Sequence, residues 1–347
     1  MTQIGDLLSG LRSQFPDSLI SGQGWERLID QVGEIPFDEK LTCGFEMPLG
    51  DPDPVSDFSI VVAPGPTAQF FIHLGEQDEA SSTETWLSRH LVERTGSDDW
   101  IDWILLAYDI IDTLPSERTV PAVHLNPGPS QRPEQSKSTL AILENSLSRI
   151  AGRSDDNFEC QALSIAYAAL PVAAAVVFVG VTSRYTTPSV RLVIAGIPMP
   201  SLKAYLECLN WMGSTEFLVE FLSSMKDVSD RYLLSIDLTD SGALPRLGLE
   251  MYPADLPRVD HRYLLTAWLN TTRGDWNRFV NHTVGLGLCL PAKGTGILSW
   301  PRSNKIFTNN RVYRLYMGIN HVKFVVSGES IHAKAYAGLN FAPIEPY

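Results

Sequence analysis

In the run PRLGLEMYP the side chains alternate from Arg246 onward. Arg246, Gly248, Glu250 and Tyr252 fall on one face, and Leu247, Leu249 and Met251 on the other. Period two with one apolar face marks a strand. The same pattern predicts strands over 40–48 and 55–63 around the turn GDPDP, over 69–74 (QFFIHL), and as pairs over 172–181 with 189–197 and 231–238 with 245–252. A last pair, 311–326 with 331–341, is joined by SGES. Helical spacing predicts one or two short helices in 5–33, helix over 84–112 with ILLAYDII as the apolar core of its second part, and a helix over 138–151 with Ser138 as N-cap. Further helices are predicted over 200–225, interrupted by Gly213, and over 260–270 and 274–282. Residues 113–137, with LNPGPSQRPEQSKS, read as a long loop.

From residue 138 onward the order is helix, strand, strand, helix, repeated. Antiparallel hairpins alternating with helices predict an α+β fold, not a doubly wound parallel sheet. CGFEMPL (43–49) and LGLEMYP (247–253) share G-x-E-M, an echo that fits repeated units. The uncharged stretch 162–181 is about long enough to span a bilayer. Pro171 splits it, however, and its Val-rich second half is followed by SVRLVIAGI, so a buried hairpin is the expectation and a membrane helix is not.

Composition narrows the chemistry. The 347 residues carry a formal net charge of −13, with 44% apolar and 19% charged residues, which fits a soluble globular chain and argues against a nucleic-acid partner. The 4 cysteines lie far apart, without metal-ligand spacing, so neither a zinc site nor a disulfide framework is expected. The opening MTQIGDLLSGLRSQF has no basic segment followed by an apolar core, which predicts a cytoplasmic protein. No phosphate-binding glycine motif sits between a strand and a helix; LPAKGTG (290–296) lacks the spacing. DDWID (98–102) matches the D-D-x-x-D pattern that holds Mg²⁺ in terpene synthases, but no second metal motif accompanies it, and acids also suit the first turn of a helix. His321 and His332 flank the last turn and could face each other across the hairpin.

Several segments resemble the indole (tryptophan dimethylallyl) prenyltransferases. In that family a strand ending in Asp-Leu precedes Arg-x-Lys-x-Tyr; here SIDL precedes Arg246, Glu250 and Tyr252. GDPDPVSDFSIVV is similar to the family's Pro-x-Glu-x-Ser strand, with Asp57 and Ser59 in place. HVKFVVSGESIHAKAYAGLNF looks like its closing hairpin. The resemblance implies one domain over 1–347, an antiparallel barrel of αββα units with helices outside (the ABBA barrel). The implied function is transfer of a short prenyl group from an allylic diphosphate to an aromatic small molecule or peptide in natural-product biosynthesis. No cofactor is implied, with Mg²⁺ as an optional aid.

By the same resemblance Arg191, Arg246, Lys323 and Lys334 would bind diphosphate. Tyr252, Tyr313, Tyr316 and Tyr336 would shield the allyl cation, and Asp57, Glu46 or Glu250 would hold and deprotonate the acceptor. Ala333, Ala335 and Ala337 leave room for a close helix, which turns Lys334 and Tyr336 inward. Two departures stand out: Glu250 occupies the family's Lys position, and the Lys-x-Tyr of the second strand pair is missing. They support a second reading, a barrel that lost diphosphate chemistry and binds a hydrophobic or peptide ligand as an accessory protein. A third is a terpene synthase built on DDWID. The sequence leaves the acceptor, the prenyl length and the oligomeric state open.

Overall fold

The computed structural model describes residues 3–37, 42–62, 65–77, 82–93, 104–110, 121–126, 161–182, 189–239, 241–256, 274–307 and 312–344. Helices α1 (Ile4–Leu11) and α2 (Gly22–Val32) precede β1 (Thr42–Pro48) and β2 (Asp57–Val62). α3 (Pro66–Gly75) and α4 (Ser82–Glu93) precede β3 (Ile104–Tyr108) and β4 (Ala122–Leu125). α5 (Gln161–Ala168) leads into β5 (Ala175–Thr182) and β6 (Ser189–Ala195), and α6 (Met199–Cys208) with α7 (Thr215–Met225) into β7 (Tyr232–Thr239) and β8 (Gly242–Met251). After α8 (Trp276–Gly285) and α9 (Pro291–Leu298) come β9 (Arg302–Phe307), β10 (Val312–Ser327) and β11 (Ser330–Pro343).

The strands form one antiparallel sheet in the order β11-β1-β2-β3-β4-β5-β6-β7-β8-β10-β9. Pairing of β10 with β11 closes it into a 10-stranded barrel. The first half of β10 pairs with β9, which lies outside the closed ring, and the second half with β8; a bulge between Ile319 and His321 separates the halves. The register gathers the hairpin turns at one end. Thr239 meets Gly242, Thr182 meets Ser189, and Ser327 meets both Ser330 and Arg246.

The outward positions of the ring strands are mostly apolar and pack under helices. Ser21 caps α2 by accepting from the Gly24 amide, and the helix buries Trp25, Leu28 and Val32. Trp25, Phe15 and Trp300 surround Phe45 of β1, with Phe15 and Trp300 only 4.6 Å apart. Phe221 of α7 and Phe279 of α8 meet Phe324 of β10 at 5.0 and 6.3 Å. One core joins these outward residues to the helices. A separate small cluster (Val177, Val193, Ala195, Leu233, Tyr252 and Leu256) sits at the end away from the hairpin turns.

The fold corrects several expectations. QFFIHL belongs to helix α3, not a strand; of the expected helix 84–112, α4 covers the described residues up to Glu93, while ILLAY forms β3. The expected loop 113–137 contains β4. Of 162–181, the first half is helix α5, and the buried hairpin is β5 with β6. No described helix is long and apolar enough to cross a membrane. The expected helices 138–151 and 260–270, and DDWID, lie outside the described residues. Helix α9 and strand β9 were not anticipated.

Candidate functional site

Inward side chains line a cavity of about 190 Å³ in the lumen. It holds Glu46, Asp57, Asp237 and Glu250 against Arg191, Arg246, Lys323 and Lys334, with His124, His321, Tyr252 and Tyr336 between them.

The register brings β1 and β11 together with Glu46 beside Tyr336 and Pro48 beside Lys334. Lys334 Nζ reaches Glu46 Oε1 at 2.5 Å, and the Tyr336 hydroxyl donates to Oε2. Burial pushes the Glu46 carboxyl up, but Lys334, the Tyr336 hydrogen bond and the charge of Lys323 outweigh it and hold the group below the usual carboxylate range. Burial and the Glu46 carboxylate push the Tyr336 phenol well up.

The pattern of cation, gap, anion and phenol on β8 now has a physical reading. Lys323 faces Glu250 in register, and its side chain crosses β8 at Gly248 to donate to Ser235 Oγ at 2.9 Å. A Cβ on Gly248 would stand 2.3 Å from Lys323 Cε, so the glycine is the passage. Glu250 Oε1 lies 3.4 Å from Lys323 Nζ, and Oε2 lies 3.8 Å from His321 Nε2. Glu250 therefore pairs with Lys323, its cross-strand neighbour on β10. Burial lowers the Lys323 pKa, with Arg191 adding to it and Glu250 opposing.

Arg191 grips Asp237 as a fork, Nε to Oδ1 at 2.7 Å and Nη2 to Oδ2 at 2.8 Å. Burial opposes both charges; each partner outweighs it for the other, so Arg191 is held above and Asp237 below its ordinary value. Arg246 is exposed at the cavity rim and makes no ion pair among the described residues.

An aromatic wall completes the lumen. His321 stacks on Tyr336 with centroids 4.3 Å apart and planes 18° from parallel, and Tyr252 lies 5.8 Å from His321. Burial depresses the His321 pKa to about 4, with Glu250 opposing, so the ring is neutral at pH 7. His332 is exposed and stands in register with Val325, so the two histidines do not face each other. Asp57 lines the cavity at the start of β2, its Oδ1 accepting from the Ile110 amide at 2.8 Å.

Two expected residues lie elsewhere. Tyr313 is on the outward face of β10, edge-on to Phe37 at 5.4 Å. Its parity is that of Leu315, Met317 and Ile319, which pack outward before the bulge resets the alternation. Tyr316 lies on the half of β10 paired with β9 and does not line the cavity. Sequence reasoning assigned no role to Ser235, Asp237 or His124. Asp237 carried a signal, the Asp of SIDL alternating with Ser235; His124 carried none, because its strand was read as loop.

His124 belongs to one continuous row. Leu105, His124, Gly180, Arg191 and Asp237 stand opposite one another from β3 to β7. Gly180 makes room for the imidazole: a Cβ there would stand 2.4 Å from His124 Nδ1. Burial, aided by Arg191 and Lys323, depresses the His124 pKa to about 3, so this ring too is neutral. Among the described residues no group of three or more His, Cys, Asp or Glu is arranged to hold a metal ion. In comparisons with known proteins, no protein-family profile matches the chain and no curated protein matches it in sequence.

Proposed function

We propose that the barrel transfers a short prenyl group from an allylic diphosphate to an electron-rich aromatic acceptor held in the lumen. The observation that carries this reading is the lumen itself. Inside a closed barrel, a carboxylate kept ionised by Lys334 and Tyr336 shares a small cavity with Arg191, Arg246 and Lys323 and a wall of Tyr252, His321 and Tyr336. Strand pairs alternating with helices along the chain support reading the barrel as αββα units.

In this mechanism the diphosphate enters past Arg246 and binds the N–H groups of Arg191 and Lys323 that their carboxylate partners do not use. These cations stabilise the charge that grows on the leaving oxygen. Tyr252 and Tyr336 shield the allyl cation, since aromatic faces attract positive charge. Glu46, with Asp57 next to it in register, accepts a hydrogen bond from the acceptor's N–H or O–H. No metal is required of the protein; Mg²⁺ would enter with the diphosphate.

A second reading has its own support. The pairs Arg191–Asp237, Lys323–Glu250 and Lys334–Glu46 neutralise the lumen. That favours a barrel binding an uncharged hydrophobic or peptide ligand, without diphosphate chemistry. The closed barrel gives the terpene-synthase reading no support, because those enzymes are all-helical.

Calorimetric titration with dimethylallyl S-thiolodiphosphate, with and without Mg²⁺, separates the first two readings. Prenyl transfer predicts saturable binding, weakened about 10-fold or more by Arg246→Ala through loss of a charge-assisted contact. No binding in either condition would leave the ligand-binding barrel as the better reading.

A further inference from the structure

Attack of an allyl cation on an aromatic carbon leaves a ring carbon bearing both the prenyl group and a hydrogen. That proton must go to a base with a free lone pair before the ring regains its aromaticity. The lumen carboxylates are engaged. Glu46 oxygens accept from Lys334 and Tyr336, both Asp237 oxygens from Arg191, Glu250 from Lys323, and Asp57 from the Ile110 amide. His321 has Nδ1 against Asn320 Oδ1 at 3.0 Å; its Nε2 has no hydrogen bond but is sealed from solvent, 3.8 Å from Glu250 Oε2, where a ring carbon in the lumen does not reach it. His124 differs. Its ring lines the cavity, only part-buried, over the Gly180 gap, and neither ring nitrogen has a hydrogen-bond partner among the described residues.

From this we infer that His124 is the proton acceptor that completes prenyl transfer, an inference resting on the reading above. The allylic C–O bond breaks and its electron pair leaves with the diphosphate. The aromatic π pair forms the new C–C bond. The C–H pair then returns to the ring as the proton passes to the His124 imidazole. Arg191, two strands away in the same row, holds the departing diphosphate, so the imidazolium forms beside an anion that can take the proton onward. The groups that bear on this ring are Arg191 on β6, Asp237 on β7, Lys323 on β10 and Glu46 on β1.

The test uses the full chain with dimethylallyl diphosphate and indole, beside ring-deuterated indole, comparing wild type with His124→Asn and His124→Gln. Loss of the acceptor lets the intermediate revert, and water captures the cation. The product ratio should therefore move from prenylindole toward dimethylallyl alcohol by about 100-fold, the lower end for general-base catalysis. A deuterium isotope effect absent from wild type should appear in the variants. A merely structural role would lower both products together and create no isotope effect. That result in either folded variant, or a wild-type product ratio, would overturn the inference while leaving prenyl transfer standing. A wild-type chain that releases neither alcohol nor prenylindole would overturn the prenyl-transfer reading itself.

Discussion

Gly248 shows how a missing side chain can position a charge. Lys323 reaches Ser235 only because nothing rises from β8 between them. Gly248→Ala should push the Lys323 ammonium aside and leave Glu250 buried without its partner. An expected loss of about 2 kcal/mol follows from stranding a buried charge that can partly relax. The loss should shrink by half or more in a Lys323→Met background, where no pair remains to break. Urea unfolding of the four corners of this cycle measures the coupling, and additivity would show that the passage is not the reason for the glycine. At this scale the sequence was partly legible. Alternation separated the apolar and polar faces of β8, and the alanines of β11 turned Lys334 and Tyr336 inward, because the outward positions of both strands are apolar. It could not reveal that Lys323 pairs with Glu250, since cross-strand partners depend on register. Nor could it reveal that Tyr313 faces outward, because the bulge after Ile319 shifts the parity within β10.

At the scale of elements, misreadings came where one side of the period was disguised. ILLAY reads as helix because its lumen positions, Leu105 and Ala107, are as apolar as its outward Ile104, Leu106 and Tyr108. Helix α9, PAKGTGIL, is poor in helix formers. It forms because Pro291 starts it, while Gly294 lies against Val280 and Val284 of α8, and Gly296 against Ser18 and Leu19. That close docking delivers Lys293 into the protein, 2% exposed. Its Nζ donates to the carbonyls of Pro48 at 2.8 Å and Asp53 at 2.7 Å. The lysine thus pins the β1–β2 connection, which leads straight into Asp57. Burial lowers its pKa, and the charges of Asp51 and Asp53 oppose that shift. Lys293→Met keeps the packed stem but strands both carbonyls, and should cost about 2–3 kcal/mol. The same substitution should make the connection 49–56 an early site of limited proteolysis. A variant as stable and as protease-resistant as wild type would show that the pin carries no stability.

For the whole molecule, the closed ring turns lumen chemistry into acid sensitivity. His321 and His124 are held neutral, with pKa values depressed to about 4 and about 3, whereas in the unfolded chain they titrate near 6.5. Below about pH 6.5 the unfolded chain therefore binds protons that the barrel refuses, and stability falls as pH falls toward 4. The limiting slope is about 1.4 kcal/mol per pH unit for each fully excluded histidine, and less for His124, which opens on the cavity. Glu46 and Asp237, held below their ordinary values, have the same sign but a lower window, so their stabilisation is lost only at more acidic pH. The surface works oppositely. A chain of net charge −13 repels itself less as its acids are protonated, and that term is screened by salt while the lumen term is not. Unfolding midpoints followed from pH 7.5 to 4.5 should therefore fall, and the fall should persist at high salt. His321→Phe keeps the stack on Tyr336 and removes the buried Nε2 that lacks a hydrogen bond. It should leave stability at pH 7.5 within about 1 kcal/mol of wild type and reduce the slope by about half. An unchanged slope would place the acid sensitivity in the outer layers. A reduced one would place it at the centre of the barrel, where charging one wall strains a ring in which every strand depends on both neighbours.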